Sequence, residues 1–163
     1  MLTNARLFQE SYQNPQSTNA AISQAKAVCE INNVKLTLAR ERVLKIIWGS
    51  RQPLGAYQIQ DQLCNLLGKK IAPPTVYRAL AFLLDNGLVH KLTSINAYVG
   101  CPFPKSEHSN IFLVCNNCER VAEAVHHSTN KTIQDICSKT KFDFDSQYIE
   151  VFGTCLNCSN NKS

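Results

Sequence analysis

No apolar run in this chain of 163 residues approaches the roughly 20 residues needed to cross a bilayer. The opening stretch, MLTNARLFQESYQNPQSTNAA, has no continuous apolar segment of the kind a secretory leader requires. A cytoplasmic protein without a membrane partner is the expectation. There is no Gly-rich phosphate loop, no pairing of a nucleophile with a base, and no small-molecule substrate implied beyond a metal ion. A zinc deaminase would need His-x-Glu followed by Pro-Cys-x-x-Cys, and that pairing is missing as well. Catalysis is therefore the weakest functional class. What is present is ordinary globular composition, 44% hydrophobic and 18% charged, in a length that suits one average domain or two small ones.

Two features depart from the ordinary. Residues 1–100 carry 11 Lys and Arg against 5 Asp and Glu, whereas residues 101–163 carry 6 against 7. The basic half is the one suited to a polyanion, although a solvated basic surface gives the same balance. The second feature is eight cysteines in a chain expected to stay reduced, where clustered thiols serve as metal ligands or catalysts more often than as disulfides. Two Cys-x-x-Cys pairs, Cys115/Cys118 and Cys155/Cys158, together supply four thiolates, the closed tetrahedral shell of structural zinc. A redox dithiol would sit where a strand meets a helix, but CNNC joins two β-prone runs and CLNC lies near the end of the sequence. Iron–sulfur ligation by the same four thiols stays open.

Residues 1–19, rich in Asn, Gln and Ser, show no sustained period and are expected to form a flexible tail. Helical periodicity starts at Ala20, with Ile22, Ala25 and Cys29 on one face as far as Asn32–Asn33. Thr37 is placed to cap a second helix carrying Val43, Leu44, Ile47 and Trp48. A third puts Ile59, Leu63, Leu66 and Leu67 on one face and stops at Gly68. Pro73–Pro74 open a fourth, with Val76, Ala79, Leu80, Leu83 and Leu84 as its stripe and Gly87 after its end. Two short β-prone runs, LVHKL and AYVGC, make a hairpin, so that helices followed by a two-stranded wing give the winged helix-turn-helix arrangement over residues 20–101. Its last helix leads into the major groove with Thr75, Tyr77 and Arg78 in the first turn. Residues 102–107 read as a hinge. Residues 108–163 read as strand, strand, helix and strand, with the helix at about 129–140 burying Ile133, Ile136 and Cys137. The fold class is α+β, and the second domain is small enough to need a metal staple or a partner subunit.

The segments PPTVYRALAFLLDNGLVHKL, AYVGC, HSNIFLVCNNC and CLNC, in that order over residues 20–158, resemble the ferric uptake regulator (Fur) superfamily. Within it the likeness is greatest to the zinc-responsive (Zur) branch, because SEHSN, with its one histidine, stands where iron sensors usually carry His-His-Asp-His. The resemblance implies a homodimer joined through its C-terminal domains, binding a pseudo-palindromic DNA operator. It implies two zinc ions per subunit, one structural and one regulatory. It groups His90, Cys101, His108 and Glu123 as the regulatory shell, a mixed set whose thiolate suits zinc better than a hard-oxygen metal. Singly, each of these has a plain alternative as a strand or core residue. Glu107 is a substitute ligand in this scheme, and His126–His127 read as surface residues. Cys29 and Cys137 read as core, and Cys64 as a bystander.

The resemblance also places Tyr57 and Arg40 against the DNA backbone, while Arg78 has the guanidinium geometry for guanine O6 and N7. Leu38 stands where the family commonly has proline, which bears on how the second helix starts and on Arg40. The function implied is a zinc-dependent repressor of zinc-uptake genes. The alternatives are an iron, manganese or peroxide sensor on the same scaffold, or a metal-stapled nucleic-acid-binding module without sensing.

Overall fold

A computed structural model describes residues 15–104, 111–124, 127–145 and 147–160. From residue 10 onward the chain divides into two compact units, Glu10–Ser106 and Glu107–Ser163.

The first unit begins with α1, Pro15–Ile31, so helix starts five residues ahead of the Ala20 expected from periodicity. A proline at the first helical position loses nothing by lacking an N–H, which lets the polar stretch before Ala20 join the helix. Ala21, Ile22, Ala25, Val28 and Cys29 form its buried face. Asn33, at a φ of 53°, turns the chain out of the helix. α2, Leu38–Gly49, is capped by Thr37, whose hydroxyl accepts from the Arg40 N–H. Leu38 in the place of proline leaves this start intact: it is the first helical residue and points to solvent. α3, Ala56–Leu67, starts with the Gln58 side chain accepting from the Gly55 N–H and ends at Gly68, in the left-handed region. Ile59 and Leu63 are buried, but Leu66 is exposed, which narrows the apolar face read from the sequence.

α4, Pro73–Asp85, is opened by its two prolines, and the chain leaves it through Gly87 at a φ of 63°. Val76, Ala79, Leu80 and Leu83 pack into a single core with α1–α3 and the hairpin. That hairpin pairs β1, Val89–Leu92, antiparallel with β2, Ala97–Gly100, and places His90 opposite Val99. Leu54 bridges to Tyr98 on the far edge of β2.

In the second unit β3, Ile111–Cys115, pairs antiparallel with β4, Val121–Ala124, and parallel with β5, Ile149–Gly153. The crossover carries α5, His127–Lys139, and α6, Leu156–Asn160, follows β5 as a single turn. Phe112, Val114, Val121 and Ala122 are buried, whereas β5 buries no residue. The face expected to be core on α5 is not: Ile136 is exposed, and Ile133 and Cys137 are only half-buried. Apolar spacing identifies a face to be covered, and within one copy of this unit that face remains open.

Candidate metal centre and nucleic-acid interface

The turn after β3 folds back on itself. The Glu119 N–H donates to the Cys115 carbonyl at 2.9 Å, and the Cys115 N–H donates to the Arg120 carbonyl at 3.0 Å, with Glu119 at a φ of 57°. This brings the Cys118 thiol beside Cys115. Because β5 runs parallel to β3, both strands end on the same side, and the Asn116 N–H reaches the Gly153 carbonyl at 2.8 Å. Cys155 follows two residues later and donates its N–H to Cys115 Sγ at 3.3 Å, while α6 supplies Cys158. The four sulfurs all lie within 4.8 Å of one another, and Cys118 Sγ stands 3.8 Å from Cys155 Sγ. Thiolates around zinc at a bond length of about 2.3 Å make a tetrahedron with edges of about 3.8 Å. A disulfide would need about 2.05 Å. The spacing fits a metal shell.

The local electrostatics follow from the same geometry. The Cys155 N–H and then the Cys118 N–H lower the Cys115 thiol to about 6, against the push of burial, so this sulfur is prepared as a thiolate. Burial raises Cys118, yet the hydrogen bond from Arg120 Nε at 3.3 Å helps leave it below its ordinary value. Cys158 is pushed up to about 12, chiefly by its hydrogen bonds to the Cys155 and Cys118 sulfurs. Thiols bind a metal as thiolates, so metal binding at such a cluster releases protons.

The second set of expected ligands is spread along the chain. In the first unit, His90 lies on β1 and Cys101 directly follows β2. Since His90 pairs with Val99, Cys101 is its diagonal neighbour on the same face of the hairpin. The Cys101 N–H donates to the Leu88 carbonyl at 3.1 Å, and His90 and Cys101 offer ligand atoms within 4.8 Å of each other. The opposite face of the hairpin is held by the chain's one tryptophan, since Gly100 presses directly on the Trp48 indole. In the second unit, Glu123 lies on β4 opposite Phe112. His90 and Glu123 are the two buried polar or charged residues among those described. His108, Glu107, His126 and the side chain of His127 lie outside the described residues.

The residues expected to meet nucleic acid divide in two. Thr75 is exposed in the first turn of α4 and Tyr77 and Arg78 in its second, on the side away from its buried stripe, and Tyr57 is exposed near the start of α3. Arg40 differs. Its guanidinium lies 3.6 Å from the Phe82 ring centroid and donates to the Lys35 carbonyl at 2.6 Å, tying α2 to α4. Two groups had no signal in the sequence. An arginine two positions past a cysteine pair is unremarkable by spacing, yet Arg120 Nε donates to Cys118 Sγ. Cys64, read as a bystander, accepts the Ile71 N–H at 3.3 Å and fastens the loop leading into α4.

Residues 31–152 match the ferric uptake regulator family. The chain is 34% identical over 143 residues to a zinc uptake regulation protein of Escherichia coli (strain K12), covering 87% of this chain and 83% of that protein. Among solved structures it is similar to a zinc uptake regulator complexed with zinc and DNA, at a TM-score of 0.85 and 32% identity over 90% of this chain and 97% of that one. It is also similar to holo XcZur, at a TM-score of 0.78 and 34% identity over 87% and 99%.

Proposed function

Because the chain belongs to the ferric uptake regulator family, we propose that it is a zinc-responsive DNA-binding repressor that acts in the cytoplasm on zinc-uptake genes. In this account it regulates by binding and carries out no catalysis. Each subunit holds two zinc ions. Cys115, Cys118, Cys155 and Cys158 take the structural one, a reading supported by their sulfur spacing. His90, Cys101, His108 and Glu123 take the regulatory one.

The observation that carries the regulatory assignment is the burial of His90 and Glu123, the two polar or charged residues so placed among those described. Burying a carboxylate is costly unless it is paired, hydrogen-bonded or on a metal. The Cys101 thiol within reach of His90 adds a soft donor, which favours zinc over iron(II) or manganese(II). A metal that takes ligands from both units favours whichever arrangement satisfies all of them, and operator affinity then follows metal occupancy.

The active species is a homodimer joined through the second unit, reading a pseudo-palindrome with two copies of α4. Its support is the apolar surface that unit leaves exposed, at Ile136, Phe142, Tyr148, Val151 and Phe152, and the position of β5 as an edge strand. Arg78 reads a base, Thr75 and Tyr77 contact a thymine methyl or the phosphates, and Tyr57 faces the DNA backbone. Arg40, engaged with Phe82 and Lys35, sets the pose of α4 alongside any backbone contact. The test is Cys101→Ser. It should abolish zinc-dependent operator binding in a mobility-shift titration while leaving a folded dimer with one zinc per subunit. A variant that still responds to zinc like the parent removes Cys101 from the regulatory set.

A further inference from the structure

Arg120 is the one arginine beyond Arg78, and it is fixed at both ends. Its carbonyl accepts the Cys115 N–H at 3.0 Å, and its Nε donates to Cys118 Sγ at 3.3 Å. A zinc ion held by four thiolates carries an excess of two negative charges. Cys115 and Cys155 are buried, and Cys115 is further served by the Cys155 N–H. Cys118 is half-exposed, so its sulfur is one of the two that solvent, chelators and competing metals reach first. A charge-assisted N–H···S bond to that sulfur draws electron density from it and fixes its direction.

We propose that Arg120 is the charge-balancing and positioning residue of the four-cysteine site, holding Cys118 on the metal and slowing metal exchange at that corner. This rests on reading the four cysteines as a zinc site. Removing the bond leaves Cys118 a more basic and more mobile ligand, and exchange opens there.

The experiment uses the full chain in a Cys101→Ser background, so that only the four-cysteine site is filled. Zinc transfer to a chromophoric chelator is timed for Arg120, Arg120→Gln and Arg120→Lys proteins, and the cobalt(II)-substituted forms are compared by absorption. The expected result is transfer about 10–100-fold faster for Arg120→Gln, with partial recovery in Arg120→Lys. The sulfur-to-cobalt charge-transfer band should move to lower energy in both variants, while the visible bands stay tetrahedral. A merely structural arginine would change thermal stability and leave that band where it is. If Arg120→Gln fails to fold, Arg120→Lys, which keeps the charge without a directed Nε–H, must show the band shift by itself. Equal transfer rates with an unmoved band overturn the proposal. A parent protein whose cobalt form is not tetrahedral with four sulfurs overturns the zinc-site reading, and the proposal with it.

Discussion

Gly100 shows how much rests on single atoms. A Cβ there would collide with the Trp48 indole, and the flat ring has no flexible end to swing aside. Gly100→Ala should cost about 1–3 kcal/mol in chemical denaturation and shift the emission of the one tryptophan. An unchanged midpoint and spectrum would mean the indole repacks freely. Since Cys101 is the next residue, the same substitution should also weaken regulatory zinc binding. None of this was legible in the sequence, because Trp48 and Gly100 are distant along the chain and the AYVGC segment carries no sign of the indole it packs against. The Arg120 bond to Cys118 was hidden for a related reason: its partner is near, but nothing in the spacing distinguishes it. The two cysteine pairs were legible because each is local, and a short turn suffices to converge two thiols.

At the scale of elements, α4 is the clearest case of a sequence that states its own structure. Two prolines open it, a glycine follows its end, and the stripe from Val76 to Leu83 leaves Thr75, Tyr77 and Arg78 on the other side. Arg78→Ala should weaken operator binding by about 1–3 kcal/mol and relax preference at one base, read by competition among operator variants. Equal affinity and preference would take Arg78 out of the reading set. α5 is the opposite case. Its period marked Ile136 correctly as apolar, but periodicity does not say what covers a face, and the expected core turned out to be surface. Arg40 was likewise visible as a basic residue on α2, while its engagement with Phe82 depends on how two helices pack.

For the whole molecule, the division into a basic first half and a near-neutral second half matches two units with different tasks: one presents α4, the other carries the four-cysteine cluster and an open apolar face. Phe152→Glu, placing a charge on the exposed edge strand, should shift the protein from dimer to monomer in sedimentation and reduce operator binding, with each monomer retaining its four-cysteine zinc. A variant that stays dimeric would locate the interface elsewhere. Cys115→Ser should instead lose that zinc and with it the folded second unit, because metal binding there is folding energy; a folded, zinc-free variant in circular dichroism would contradict this.

Whether zinc occupancy controls DNA binding is decided by titrating operator binding of the purified protein against buffered free zinc, iron(II) and manganese(II). Zinc alone should switch binding on, at low free concentration, with the four-cysteine site already filled. Binding that ignores added metal, and survives a chelator that spares the four-cysteine site, would contradict that.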